Sequence, residues 1–170
     1  MKLKNNSRIA VIGGGPAGSF FCYFIIEIAK RLNINLNIDL YDPKRFNQKG
    51  PSGCNHCGGI ISESLVQVLA SEGINIPSEI IQVGIDSYIM HMDIGSAKID
   101  TPVNEKRIAS IFRASGPSCS KGLELKSFDQ YLQDLIVTLG VNVIHEKVIS
   151  VAYNDEFPVV NSNNNSSISL

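Results

Sequence analysis

A chain of 170 residues is long enough to bury one sizeable core. Its apolar share of 44% and charged share of 18% are those of an ordinary globular protein. The net charge of −1 excludes a general electrostatic attraction to nucleic acid or to an anionic membrane. Four cysteines, Cys22, Cys54, Cys57 and Cys119, are too few and too scattered for a disulfide framework, so a reducing, cytoplasmic setting is expected. Lys2, Lys4 and Arg8 precede an apolar stretch as in a secretory signal, but Gly13-Gly14-Gly15-Pro16 interrupts it and no small-x-small cleavage site follows. The run Phe20 to Ile26 falls far short of the ~18 residues of a membrane span, so no transmembrane segment is expected.

In chain order, Ile9 to Ile12 is a continuous apolar run suited to a buried parallel strand. From Pro16 the pattern turns helical, with Ala17, Phe20, Phe21, Phe24, Ile28 and Leu32 on one stripe. Ile25, Ile26 and Ala29 widen that surface, which predicts a helix buried on most sides. Ile34, Leu36, Ile38 and Leu40 then alternate with Asn33, Asn35, Asn37 and Asp39, the period of a strand with one wetter face. Strand, helix and strand fill Ile9 to Asp42, the ~30 residues of a βαβ unit.

After a Gly- and Cys-containing loop from Pro43 to Gly59, Ser62 or Ser64 starts a helix that Gly73 stops, with Ile61, Leu65, Val68 and Leu69 on its face. Val83 to Met92 and Ala97 to Asp100 read as strands of a hairpin, and Ile108 to Arg113 as another short strand. Phe128, Leu132, Leu135, Ile136 and Leu139 mark an amphipathic helix closed by Gly140. Val141 to Ile144 and Val148 to Ala152 are further strands, and the Asn- and Ser-rich residues 161–170 read as a disordered tail.

Gly13-Gly14-Gly15-Pro16-Ala17-Gly18 satisfies G-x-G-x-x-G between a strand and a helix, in a unit whose second strand ends in an acid. Gly13 makes the turn out of the strand, Gly15 lets a pyrophosphate approach the backbone, and Gly18 lets the helix pack closely on the sheet. The helix start offers unpaired N–H groups to phosphates. Asp42 lies 24 residues beyond Gly18, where a carboxylate accepts hydrogen bonds from ribose hydroxyls and disfavours a 2′-phosphate. The pattern points to an ADP-containing cofactor, FAD or NAD; Lys44 and Arg45 soften the exclusion of NADP.

The glycine motif, followed by Cys57-Gly58-Gly59 and by Phe128-Asp129-x-x-Leu132, resembles the geranylgeranyl reductase family of FAD-dependent oxidoreductases. The resemblance spans most of Ile9 to Ala152 and the N-terminal half of a typical member. It implies a Rossmann-like α/β FAD-binding domain with a parallel sheet, in which Gly13, Gly14, Gly15, Pro16, Ala17, Gly18 and Asp42 hold the ADP part of FAD. It further implies that Cys57, Gly58 and Gly59 border the flavin and that Arg113 corresponds to the family's FAD-contacting Arg. Here Ala114 to Ser127 lengthen the family's R-x-x-F-D spacing. A nicotinamide donor, NAD(P)H, and a small-molecule or lipid-like substrate are implied as reaction partners.

The family's G-D-A motif does not occur, so the expectation is a truncated FAD/NAD(P)-binding domain over 1–160, with the start of a substrate-side antiparallel β region about 83–113. A complementing chain carrying the missing half is the corresponding partner. The alternatives are a non-catalytic remnant and a nicotinamide-binding module without flavin chemistry.

Cys54-Asn55-His56-Cys57 admits a dithiol exchanging electrons with the flavin, a zinc site needing two further ligands, or an incidental Cys54 beside the C-G-G turn. The last is favoured, and no metal is assigned. His91 reads as a satisfied sheet residue, His145 as a strand-end residue and Cys22 as core. No catalytic residue emerges from the spacing.

Overall fold

The computed structural model describes residues 2–46, 58–100, 108–113, 126–154, 157–164 and 168–169. The chain divides into two compact units, Met1–Gln48 with Asp129–Leu170, and Lys49–Phe128.

The first unit contains β1 (Ser7–Ile12), α1 (Pro16–Arg31) and β2 (Leu36–Tyr41), followed after the second unit by α3 (Phe128–Thr138), β8 (Asn142–Ile144), β9 (Val148–Asn154), β10 (Phe157–Ser162) and β11 (Ile168–Ser169). β1, β2 and β8 form a parallel sheet with β2 in the centre. Ile9 pairs with Ile38 and Leu40 with Val143, a register that turns alternate apolar side chains toward the helices. Cys22 and Ile136 from the two helices meet Ile38, Leu40 and Val141 in the core. Asp39 ties the three strands together on their polar side, accepting from Arg8 at 3.3 Å and from the Asn142 amide at 2.8 Å.

α1 begins with Pro16 in its first turn, where the missing N–H belongs to the unpaired set. Its last turn carries Lys30 and Arg31, which favour the negative end of the helix dipole. The helix is not buried on most sides, contrary to the expectation from its composition. Its buried residues are Ser19, Cys22 and Ala29, while Phe21, Ile28 and Leu32 are 49%, 49% and 64% exposed. Small side chains let the helix axis approach the sheet; Tyr23, Ile25 and Ile26 pack partly against the core, while Phe21, Ile28 and Leu32 stay exposed. No helix among the described residues is long and apolar enough to cross a membrane.

β9, β10 and β11 make an antiparallel sheet with β10 in the middle. Asn161 and Ser162 continue β10, pairing with Ser150 and Val148 around a register shift, and Ile168–Ser169 pairs on its other side.

The second unit holds β3 (Ile60–Ser62), α2 (Glu63–Ser71), β4 (Ile81–Ile85), β5 (Ser87–Met92), β6 (Gly95–Asp100) and β7 (Ile108–Ile111). The Ser62 hydroxyl caps α2 by accepting from the Leu65 N–H at 3.2 Å, and Gly73 at φ 85° follows its end. Ile61 and Leu69 are buried, whereas Leu65 and Val68 of the expected apolar face are exposed. β7 lies between β3 and β4 in an antiparallel sheet, and β5 and β6 form a ribbon turned by Asp93-Ile94. The single strand expected from Val83 to Met92 is two strands, separated at Asp86. The ribbon pairs Tyr88 with Ile99 and Met90 with Ala97 on one face, and His91 with Ser96 on the other.

Burial pushes the Cys22 thiol up to about 11, against a backbone hydrogen bond that lowers it. In the unfolded chain a thiol ionises near pH ~8.5. Between these values the unfolded chain has released a proton that the folded chain retains, so stability falls as pH rises. Burial raises the phenols of Tyr41 and Tyr131 in the same direction. Denaturant titrations from about pH 8.5 to about pH 11 should therefore show a loss on the order of 2 kcal/mol from Cys22, absent in Cys22→Ala. An equal slope in the variant would contradict the assignment of Cys22 to the core.

Candidate functional site at the glycine turn

The turn between β1 and α1 is built by three different glycine requirements. Gly13 has φ +105°, a left-handed conformation that L side chains rarely adopt, and its N–H donates to the Tyr41 carbonyl at 2.8 Å. At Gly18 an added Cβ would run into the Gly13 carbonyl oxygen, and Val11 Cγ1 would stand 3.4 Å away. The helix can therefore sit against the strand exit only with glycine there.

Gly14, a variable position of the motif, is enclosed. A Cβ on it would lie 2.6 Å from Gln133 Nε2 and 2.9 Å from both Asp42 Cβ and Leu40 Cδ2. Gly15 is the opposite case. Its backbone is extended at φ −72°, ψ −173°, and an added Cβ meets nothing within 4 Å. Open space over a helix N-cap with no side-chain cap leaves backbone donors of the first turn for an external acceptor.

Asp42 stands at this turn, immediately after β2. It is buried, and its Oδ2 accepts from the Gly14 N–H at 2.7 Å while Oδ1 accepts from the Lys44 N–H at 2.8 Å. A carboxylate has about four acceptor positions, so two hydrogen bonds leave room for a ligand hydroxyl. The Lys44 carbonyl in turn accepts from His145 Nδ1 at 3.1 Å, which fixes that imidazole beside the end of β8.

Gln133 was not expected at the site. It is buried in α3, and its Nε2 donates to the Gly14 carbonyl at 3.0 Å; the Ser19 hydroxyl approaches the same oxygen at 3.4 Å. The only sequence signal is a polar side chain within a buried stripe, Phe128, Leu132 and Ile136, where Asp129 and Gln133 alone among the buried residues of α3 are polar.

In the second unit, Gly59 and Arg113 adjoin one another. Gly59 has φ +64°, a Cβ there would collide with the Ile111 carbonyl and lie 3.3 Å from Arg113 Cγ, and its own carbonyl accepts from the Ile111 N–H at 2.6 Å. Gly58 is exposed, with ordinary space around it. Cys54, His56 and Cys57 lie outside the described residues, as does Cys119. His91 is on the exposed ribbon with Nδ1 2.8 Å from the Ser96 hydroxyl, and Cys22 is buried core.

Solved structures share this arrangement of elements. Halogenase PltM in complex with phloroglucinol and FAD aligns at TM-score 0.60 and 14% identity, over 96% of this chain and 32% of that one. The flavin-dependent brominase Bmp2 aligns at 0.57 and 17%, over 98% and 36%. FqzB aligns at 0.56 and 14%, over 98% and 35%. Over its own length the chain thus shares the fold of these proteins, and it spans about a third of theirs. No protein-family model and no curated protein matches the chain.

The contrast between neighbouring glycines is testable without a ligand. Gly14→Ala should destabilise the protein by about 2–3 kcal/mol through overpacking against Gln133, Asp42 and Leu40. Gly15→Ala should change stability by less than about 1 kcal/mol, the range of an N-cap substitution. Equal effects in thermal or urea unfolding would contradict the packing described for the turn.

Proposed function

We propose that the chain is the FAD-binding segment of a flavin-dependent oxidoreductase, with the diphosphate at the Gly13–Gly18 turn and the adenosine ribose at Asp42. The observation that carries this reading is the pairing of a buried carboxylate with the turn. Asp42 accepts from Gly14 at 2.7 Å, and the backbone next to it, at Gly15, lies open. A ribose hydroxyl donating to Asp42 is then next to amide N–H groups that donate to an anionic diphosphate. The residues present fit the group, since the donors, the acid and the space belong to one turn.

When bound, FAD supplies hydride or electron transfer; the protein's part is to hold and orient it and to exclude competing reactions. Gly13 and Gly18 keep the strand–helix junction tight, Gly15 admits the diphosphate, and Asp42 selects a free 2′-hydroxyl by hydrogen bonding and by repelling a 2′-phosphate. The finer reading is a relative of geranylgeranyl reductases. It is supported by Cys57-Gly58-Gly59 and by the Phe128-Asp129-x-x-Leu132 start of α3, with Phe128, Asp129 and Leu132 all buried. On that reading Cys57, Gly58, Gly59 and Arg113 serve the flavin side, NAD(P)H is the electron donor, and the acceptor is a small or lipid-like molecule. The cofactor domain is taken as 1–160, and a complementing chain is the partner that would supply further parts of the enzyme.

Titration of the purified chain with FAD, followed by flavin fluorescence and the visible spectrum, tests the reading. FAD should bind and raise the melting temperature, and Gly15→Ala should weaken binding by about tenfold or more with its fold intact. Binding of NAD but not FAD would replace the reading with a nicotinamide module. Binding of neither would remove it.

A further inference from the structure

We infer that Gln133 is a positioning residue for the cofactor turn: it fixes which way the Gly14–Gly15 peptide faces, and so aims the Gly15 N–H at the diphosphate. The inference rests on the reading of the turn as the diphosphate site. A glycine-flanked peptide has little intrinsic preference for its orientation, because neither residue has a Cβ to restrict rotation. In a trans peptide the carbonyl and the next N–H point in opposite directions. Flipping this one unit would exchange a donor for a carbonyl oxygen and turn an anion-attracting surface into a repelling one.

The structure pins that peptide from two helices. Gln133 Nε2 donates to the Gly14 carbonyl at 3.0 Å from α3, and the Ser19 hydroxyl faces the same oxygen at 3.4 Å from α1. Both side chains are buried. The preceding peptide is pinned as well, since the Gly14 N–H donates to Asp42 Oδ2 at 2.7 Å. With the Gly14 carbonyl drawn toward Gln133 and Ser19, the Gly15 N–H points away from them, at a residue whose surroundings are open. The carbonyl can accept only from a donor, so the amide nitrogen of Gln133 is the group required, and neither an apolar nor an anionic side chain replaces it. A buried amide meeting a backbone carbonyl 119 residues away is also a specific use of a polar group that packing alone does not call for.

The test is an ADP titration of 15N-labelled protein, reading the dissociation constant and the Gly15 amide signal together. In the wild-type chain ADP should move the Gly15 amide proton downfield as it meets a phosphate oxygen. Gln133→Leu should weaken ADP binding about tenfold and abolish that shift, while the dispersion of other amides is retained. Gln133→Glu, isosteric but unable to donate when ionised, should do the same. Ser19→Ala, which removes the second and longer donor, should weaken binding about threefold and serves if substitutions at Gln133 unfold the chain. A Gln133 variant that binds ADP as wild type, or more weakly with the Gly15 shift intact, or a Ser19 variant that binds as wild type, overturns the inference and leaves the FAD reading standing. A wild-type chain that does not bind ADP overturns both.

Discussion

The hydrogen bond from the Gly14 N–H to the Asp42 carboxylate is the constraint on which the site depends. It joins the exit of β1 to the exit of β2, two strands whose parallel register already places Ile12 opposite Tyr41. The Gly13 N–H extends that pairing to the Tyr41 carbonyl, and Asp42 then closes over the turn. A charge-assisted bond inside a protein is stronger than a neutral one, and here both carboxylate oxygens are engaged by backbone donors. The carboxylate is thereby held in one orientation, with lone pairs left for a ligand hydroxyl.

The same turn shows why a glycine-rich motif is not one requirement repeated. Gly13 answers a backbone angle, Gly18 a helix that touches the strand exit, Gly14 an enclosure by three side chains, and Gly15 none of these. Among these four glycines Gly15 is the one where the protein itself tolerates a side chain, and on the proposed reading a ligand is the reason for glycine there. Small residues repeat this logic along α1, where Ser19, Cys22 and Ala29 bring the helix down onto the sheet.

Much of this was legible in the sequence because it is written locally. The apolar run before the glycines, the alternation up to Asp42 and the Ser62 cap each depend on residues within a few positions of one another, and each forms the expected element. The misreadings have a common cause. The stripe of Phe21, Ile28 and Leu32 has helical spacing, but hydrophobicity alone does not say that smaller residues make the closer fit to a sheet. The break at Asp86 falls within an otherwise continuous strand pattern and depends on pairing partners far along the chain, Ile108 for Ile85 and Asp100 for Ser87. Gln133 carries no local signal for its partner at Gly14, since only the folded chain brings α3 to the first turn.

The central claim is best tested by a crystal structure of the chain with FAD bound. The account predicts diphosphate oxygens within hydrogen-bonding distance of the Gly15 amide and a ribose hydroxyl on Asp42, with the Gly14 bonds to Asp42 and Gln133 retained. An FAD seated elsewhere, or a ribose out of reach of Asp42, would contradict it.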